Sequence, residues 1–142
     1  MKINICFIDA SAWIAISDVS DPHHAEAQDY FKKLLESNVR LVTNNPVIDE
    51  ALEAIKSRLG SKEAQRFLTI IDESILTINL RMDWISRRLR KNALNQLLRS
   101  KNPELQVRHM MINETIKRKK VDNIFTFDPI ISQLGTPVVF RQ

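Results

Sequence analysis

Near the N-terminus, Ile3-Asn4-Ile5-Cys6-Phe7-Ile8 forms a short apolar run that stops abruptly at Asp9. Such a run reads as a strand buried on both faces, and strands of that kind belong to parallel sheets covered by helices. A carboxylate directly after the strand puts a charge at the sheet's carboxyl edge, where open parallel sheets bind ligands. The rest of the chain must then supply covering helices and further strands.

It does so in alternation. Ser11–Ile16 opens a short helix or turn, and Asp21-Pro22 reads as an N-cap with proline at the first helical position. Apolar residues at 27, 30, 31, 34 and 35 follow at helical spacing. Residues 40–43 read as a second strand. From Pro46 a stripe of Ile48, Ala51, Leu52, Ile55 and Leu59 predicts a helix that Gly60 ends. Ser61 can cap the next helix, with Ala64, Phe67, Leu68 and Ile71 inward. Residues 74–80 alternate with period two and predict a strand. A basic helix is expected over about 82–100, broken by Asn102-Pro103, and another over about 107–119. Residues 123–127 predict a strand ending at Asp128, and 137–140 a last one. Strands alternating with helices imply an α/β fold with a mainly parallel sheet covered on both faces.

With 142 residues, one domain over 1–142 is expected. Only two glycines are present, which argues against glycine-rich phosphate loops and dinucleotide folds. No apolar run reaches the roughly 18 residues of a membrane span. The first residues lack the pattern of a signal peptide, so a cytoplasmic location is expected. Cys6 is the only cysteine and reads as a small buried hydrophobe.

Charge is unevenly spread. Residues 81–120 carry 12 of the 21 Lys and Arg against three acids, a local charge of +9, and the remainder carries −5. A basic block beside an acidic remainder suits a polyanion on one side and a cation on the other, although solvated helix faces read the same way.

Three acids point to one place. Asp9 follows the first strand, Asp128 follows the 123–127 strand, and Glu50 lies in the first turns of the helix after the second strand. All three should emerge at the carboxyl edge. Converging carboxylates repel, and a divalent cation relieves the repulsion; such oxygen ligands suit Mg²⁺ or Mn²⁺. Each acid also has a plainer reading. Asp9 and Asp128 can cap the helices that follow them, and Glu50 can be an ordinary first-turn acid.

The motifs around these acids resemble those of PIN domains. Phe7-Ile-Asp9-Ala-Ser11 resembles the opening motif, Leu41-Val-Thr-Asn-Asn-Pro-Val-Ile-Asp-Glu50 the second, and Ile124-Phe-Thr126-Phe-Asp128 the last. Their order and spacing over residues 3–140 resemble the toxin type of prokaryotic toxin–antitoxin pairs. The resemblance implies a three-layer α/β/α sandwich and a Mg²⁺- or Mn²⁺-dependent endoribonuclease. In that analogy Asp9, Glu50 and Asp128 hold the metal. Ser11 positions a water or phosphate, and Thr126 supports the same network. RNA as substrate, a small antitoxin as partner and a homodimer are implied as well.

Two positions depart from the pattern of the family that the chain resembles. The usual third acid falls on His109, and the usual glycine near the helix end is Lys120. His109 can be a further ligand, a phosphate contact, an acid or base, or the mark of a site that has lost activity. Glu114, five residues on, lies about 140° around the helix and should point elsewhere. The run Lys117-Arg118-Lys119-Lys120 can contact RNA or favourably end its helix. Trp13 and Trp84 can stack bases, although core or interface packing is the favoured reading of each, and His23 and His24 read as surface residues. Two functions follow from these residues: a metal-dependent endoribonuclease, or a catalytically weak or inactive module that binds RNA or a protein partner.

Overall fold

The computed structural model describes residues 3–140. Its centre is a five-stranded sheet of β1 (Ile5–Ile8), β2 (Arg40–Asn44), β3 (Leu80–Asp83), β4 (Asn123–Phe125) and β5 (Val138–Val139). The strands lie in the order β3-β2-β1-β4-β5, and every pairing is parallel. Six helices complete a three-layer α/β/α sandwich: α1 (Ala10–Ser17), α2 (His24–Glu36), α3 (Asn45–Leu59), α4 (Ser61–Thr77), α5 (Arg87–Arg99) and α6 (Val107–Lys119). A 3-10 turn spans Pro129–Leu134.

The apolar run that opens the chain is the central strand. Cys6, Phe7 and Ile8 are fully buried, and so are Ile124 and Phe125 on the neighbouring strand. Each large apolar side chain withdrawn from water this completely contributes about 1.5–3 kcal/mol. Burial also pushes the Cys6 thiol up to about 12, so it stays a neutral hydrophobe. Trp13 belongs to the core: it packs edge-on against Phe31 and Phe67 and donates its indole N–H to Thr43 Oγ1 at 3.2 Å.

The order of strands sets the site. The chain winds outward from β1 to β2 and β3, then returns to add β4 and β5 on β1's other side. The direction of winding reverses between β1 and β4, and at such a switch point the loops beyond the carboxyl ends part to leave a crevice.

Several local expectations are corrected. Residues 74–80 do not form a strand: α4 continues to Thr77, and β3 begins at Leu80. The polar residues that seemed to alternate turn back on their own helix, Ser74 Oγ donating to Ile70 O and Thr77 Oγ1 to Glu73 O. The basic helix therefore starts at Arg87, capped by Ser86, and not near 82. Asp21 does not cap α2. Its side chain accepts from the His23 amide in a turn and pairs with Arg58, while His23 stands at the cap position. Gly60, and not Ser61, lies at the start of α4, where it also ends α3. Its φ of +96° lets the chain make both junctions in one residue. β4 stops at Phe125, two residues early, because Thr126 turns its hydroxyl toward Asp9.

Among the described residues no helix is long and apolar enough to cross a membrane.

Candidate functional site

Asp9 leaves β1 with its amide donating to Phe125 O at 3.0 Å, which ties it to the end of β4. One carboxylate oxygen, Oδ2, is held by two hydroxyls, Thr126 Oγ1 at 2.8 Å and Ser11 Oγ at 3.1 Å. Those hydroxyls are engaged on their other sides too. Ser11 Oγ accepts from the Phe127 amide, and Thr126 Oγ1 accepts from the Asp128 amide. The two hydroxyls are also 3.1 Å apart. Ser11 and Thr126 thus brace Asp9 and stitch the last turn of the site to β1. The other oxygen, Asp9 Oδ1, is buried and receives no hydrogen bond of good geometry; the Ala10 amide nearby acts on the carboxylate without completing one. Burial raises the Asp9 pKa, against the opposing pull of Thr126, the Ala10 amide, Arg108 and Ser11. The helix-cap reading of Asp9 fails in its side chain, which makes no cap hydrogen bond to α1.

Asp128 does two things at once. Its Oδ1 accepts from the Ile130 amide at 3.0 Å, the cap expected before Pro129. Its Oδ2 faces α6, where it accepts from His109 Nε2 at 3.1 Å and from Arg108. Burial opposes its ionisation, but the bonds from His109, the Ile130 amide and Arg108 together hold its pKa below the ordinary value. Glu50, on α3, is partly exposed. Burial raises its pKa, with Asp9, Asp128 and Glu53 adding repulsion that Arg108 counters.

Arg108 is the group that the sequence reading missed. Its guanidinium spans the gap between Glu50, with Nε 3.5 Å from Oε1, and Asp128. Burial works against its charge, but the bond to Asp128 and the fields of Glu50, Asp9 and Asp128 together raise its pKa. A cation therefore does stand among the three acids, and it belongs to the chain. The available signal was the arginine directly before the family's third acidic position, at the start of a helix whose first turn enters the site.

His109 is buried at that third position. Its Nδ1 accepts from the Gln106 amide at 2.9 Å, so the ring hydrogen is on Nε2, where it is donated to Asp128. Both ring nitrogens are thereby used, one to cap α6 and one to hold Asp128. Neither keeps a lone pair for a metal ion.

The orphan Asp9 Oδ1 is the kind of atom a cation would satisfy. The donor set around it does not complete a cage: Glu50 and Asp128 face Arg108, and His109 faces Asp128. Among the described residues no three His, Cys, Asp or Glu side chains stand together so as to hold an ion. With Arg108 in place, the residues do not fit a divalent metal.

The remaining candidates lie outside this cluster. Glu114 points toward α5 and accepts from Gln96 at 2.6 Å, as its angle on the helix predicts. In the Lys117–Lys120 run, Arg118 is paired with Asp83, which also accepts from Thr115 at 2.7 Å, while the three lysines are exposed. His23 and His24 are not free surface groups: His23 stacks on Phe127 with centroids 4.2 Å apart, and His24 Nδ1 lies 2.7 Å from Ala15 O. Trp84, expected in a core or interface, is 69% exposed.

The sequence matches the PIN domain family over residues 6–136. Among curated proteins none matches the chain. Among solved structures, Mycobacterium tuberculosis VapC20, described as a sarcin–ricin loop cleaving toxin, superposes with a TM-score of 0.78. The two are 24% identical, and the match covers 95% of this chain and 97% of that one. At that identity the likeness is one of fold.

Proposed function

The chain belongs to the PIN domain family, and from that premise we propose that it is an RNA-binding member whose hydrolytic site is held closed by its own Arg108. One observation carries this reading. The guanidinium lies between Glu50 and Asp128, where the family's chemistry would need a divalent ion. A fixed organic cation relieves repulsion among carboxylates as an ion does. It offers no open coordination position, however, and so cannot activate a water. The RNA-binding half rests on the basic segment 81–120, whose charge of +9 supplies phosphate contacts, with Lys117, Lys119 and Lys120 exposed among them.

A second reading keeps support from Asp9. Its unpartnered, buried Oδ1 is costly to leave as it stands. If Arg108 were displaced, Asp9, Glu50 and Asp128 could hold Mg²⁺ or Mn²⁺, and the domain would be a metal-dependent endoribonuclease with Ser11 and Thr126 bracing the site. VapC20 is described as a toxin that cleaves the sarcin–ricin loop, which makes a toxin with an RNA substrate and a protein antitoxin the natural form of this alternative.

One experiment divides the two. Purified protein is incubated with structured and unstructured RNA, with Mg²⁺ and then Mn²⁺, beside Asp9→Asn. The closed-site reading predicts no cleavage beyond that of the variant, together with RNA binding that weakens steeply with salt. Cleavage that disappears in Asp9→Asn would establish the nuclease instead.

A further inference from the structure

Beside the edge strand β3 runs a groove of about 680 Å³ whose lining includes Arg40, Val42, Arg81, Met82, Trp84 and Lys119. We propose that this groove binds single-stranded RNA, with a base stacked on Trp84 and phosphates on Arg40, Arg81 and Lys119. The inference rests on the RNA-binding reading above and adds the surface that does the binding.

The cations share one face. Arg81 is the register partner of Val42, and Arg40 precedes Val42 by two residues, so all three project from the same side of the sheet. Lys119 ends α6, which packs on that same side through the bond from Asn44 Nδ2 to Thr115 Oγ1. Arg40, Arg81 and Lys119 form no ion pair with any described acid. The basic residue beside Lys119, Arg118, is already committed to Asp83. Asp83, the acid closest in sequence to the groove's cations, is therefore neutralised by a neighbour.

Trp84 follows the last residue of β3 and is 69% exposed, an unusual position for the largest apolar side chain. An exposed aromatic among unpaired cations is the arrangement that binds unpaired bases: the ring stacks on the base and the cations track the backbone. A duplex hides its base faces, which is why the strand must be single. Trp84 also lies at the carboxyl end of the sheet, two strand spacings or about 10 Å from β1 and Asp9. A strand in the groove would therefore run toward the acidic site. A second copy of the chain is a poorer occupant, since a twofold contact centred on this edge would set the cationic patch of one copy against the same patch of the other.

The chain has two tryptophans, and Trp13 is buried, so RNA-dependent changes in tryptophan emission report on Trp84. The test titrates an unlabelled single-stranded oligonucleotide of about eight bases into the full chain, following emission. The same RNA carrying a dye gives affinities by anisotropy for wild type, Trp84→Ala and Arg81→Ala. Quenching on binding is expected, with affinity about five- to a hundredfold weaker in Trp84→Ala. In Arg81→Ala the salt dependence should be shallower, by about 0.7 in the log–log slope. RNA that binds without quenching, and with Trp84→Ala equal to wild type, would overturn the groove and leave the RNA-binding reading standing. Absence of binding to any RNA would remove both. Sedimentation of the free protein covers the remaining occupant: a wild-type dimer that Trp84→Ala turns into a monomer would assign the groove to a second copy and overturn the proposal.

Discussion

Asp9 is held by two hydroxyls on one oxygen and receives no hydrogen bond of good geometry on the other. Asp128, one strand away, accepts from a histidine, an arginine and a backbone amide. Their titrations should therefore affect stability in opposite senses. Burial raises the Asp9 pKa, so its favourable contribution is complete below the unfolded value near 4 and is lost as pH rises through the folded value. The Asp128 pKa is lowered, so its contribution is present above the unfolded value and lost as pH falls through the folded one. Asp9→Asn removes the buried charge and should accordingly stabilise the fold at pH 7, and the advantage should shrink toward pH 4. Asp128→Asn should destabilise it at pH 7 by about 1–2 kcal/mol. Urea denaturation between pH 4 and 8 measures both. A loss of stability in Asp9→Asn at pH 7 would show that its orphan oxygen has a partner in solution.

Among the elements, α6 contributes the groups that contact the acids Glu50 and Asp128. Its first turn carries Arg108 and His109 into the acids, and its end is closed by Lys120 in the left-handed region, at φ 55° and ψ 45°. A side chain there costs about 1 kcal/mol that glycine avoids. Lys120→Gly should raise stability by about 0.5–1 kcal/mol in the same denaturation assay, and a decrease would mean that the helix end is not strained. The elements also explain what the sequence made legible. β1 and α3 were readable because β1 is one apolar run and α3 carries one apolar stripe; the places of Asp9 and Asp128 were readable because each follows a strand, and that of Glu50 because it lies in the first turns of the helix after β2. β3 was not readable. As an edge strand it carries an exposed Arg81 and a buried Asp83 satisfied by Arg118 and Thr115, so its pattern is one of ion pairing and not of hydrophobicity. Arg108 was hidden for a related reason: in a segment with 12 basic residues, nothing local marks the one that turns inward.

Across the whole molecule, the resemblance read from three short motifs holds at the level of family and fold. The site within that fold holds an arginine among its acids. The basic segment 81–120 supplies the guanidinium that pairs with Glu50 and Asp128 and, through Arg81 and Lys119, two of the cations lining the groove beside β3. If Arg108 stands in for the ion, removing it should expose three carboxylates that repel one another and recruit a divalent cation. The decisive measurement is calorimetric titration of Mn²⁺ into wild-type protein and Arg108→Gln at neutral pH. The account predicts that the variant binds one ion at least about tenfold more tightly than wild type, with binding lost when Asp9→Asn is added. Wild-type protein that binds Mn²⁺ as tightly as Arg108→Gln would contradict it.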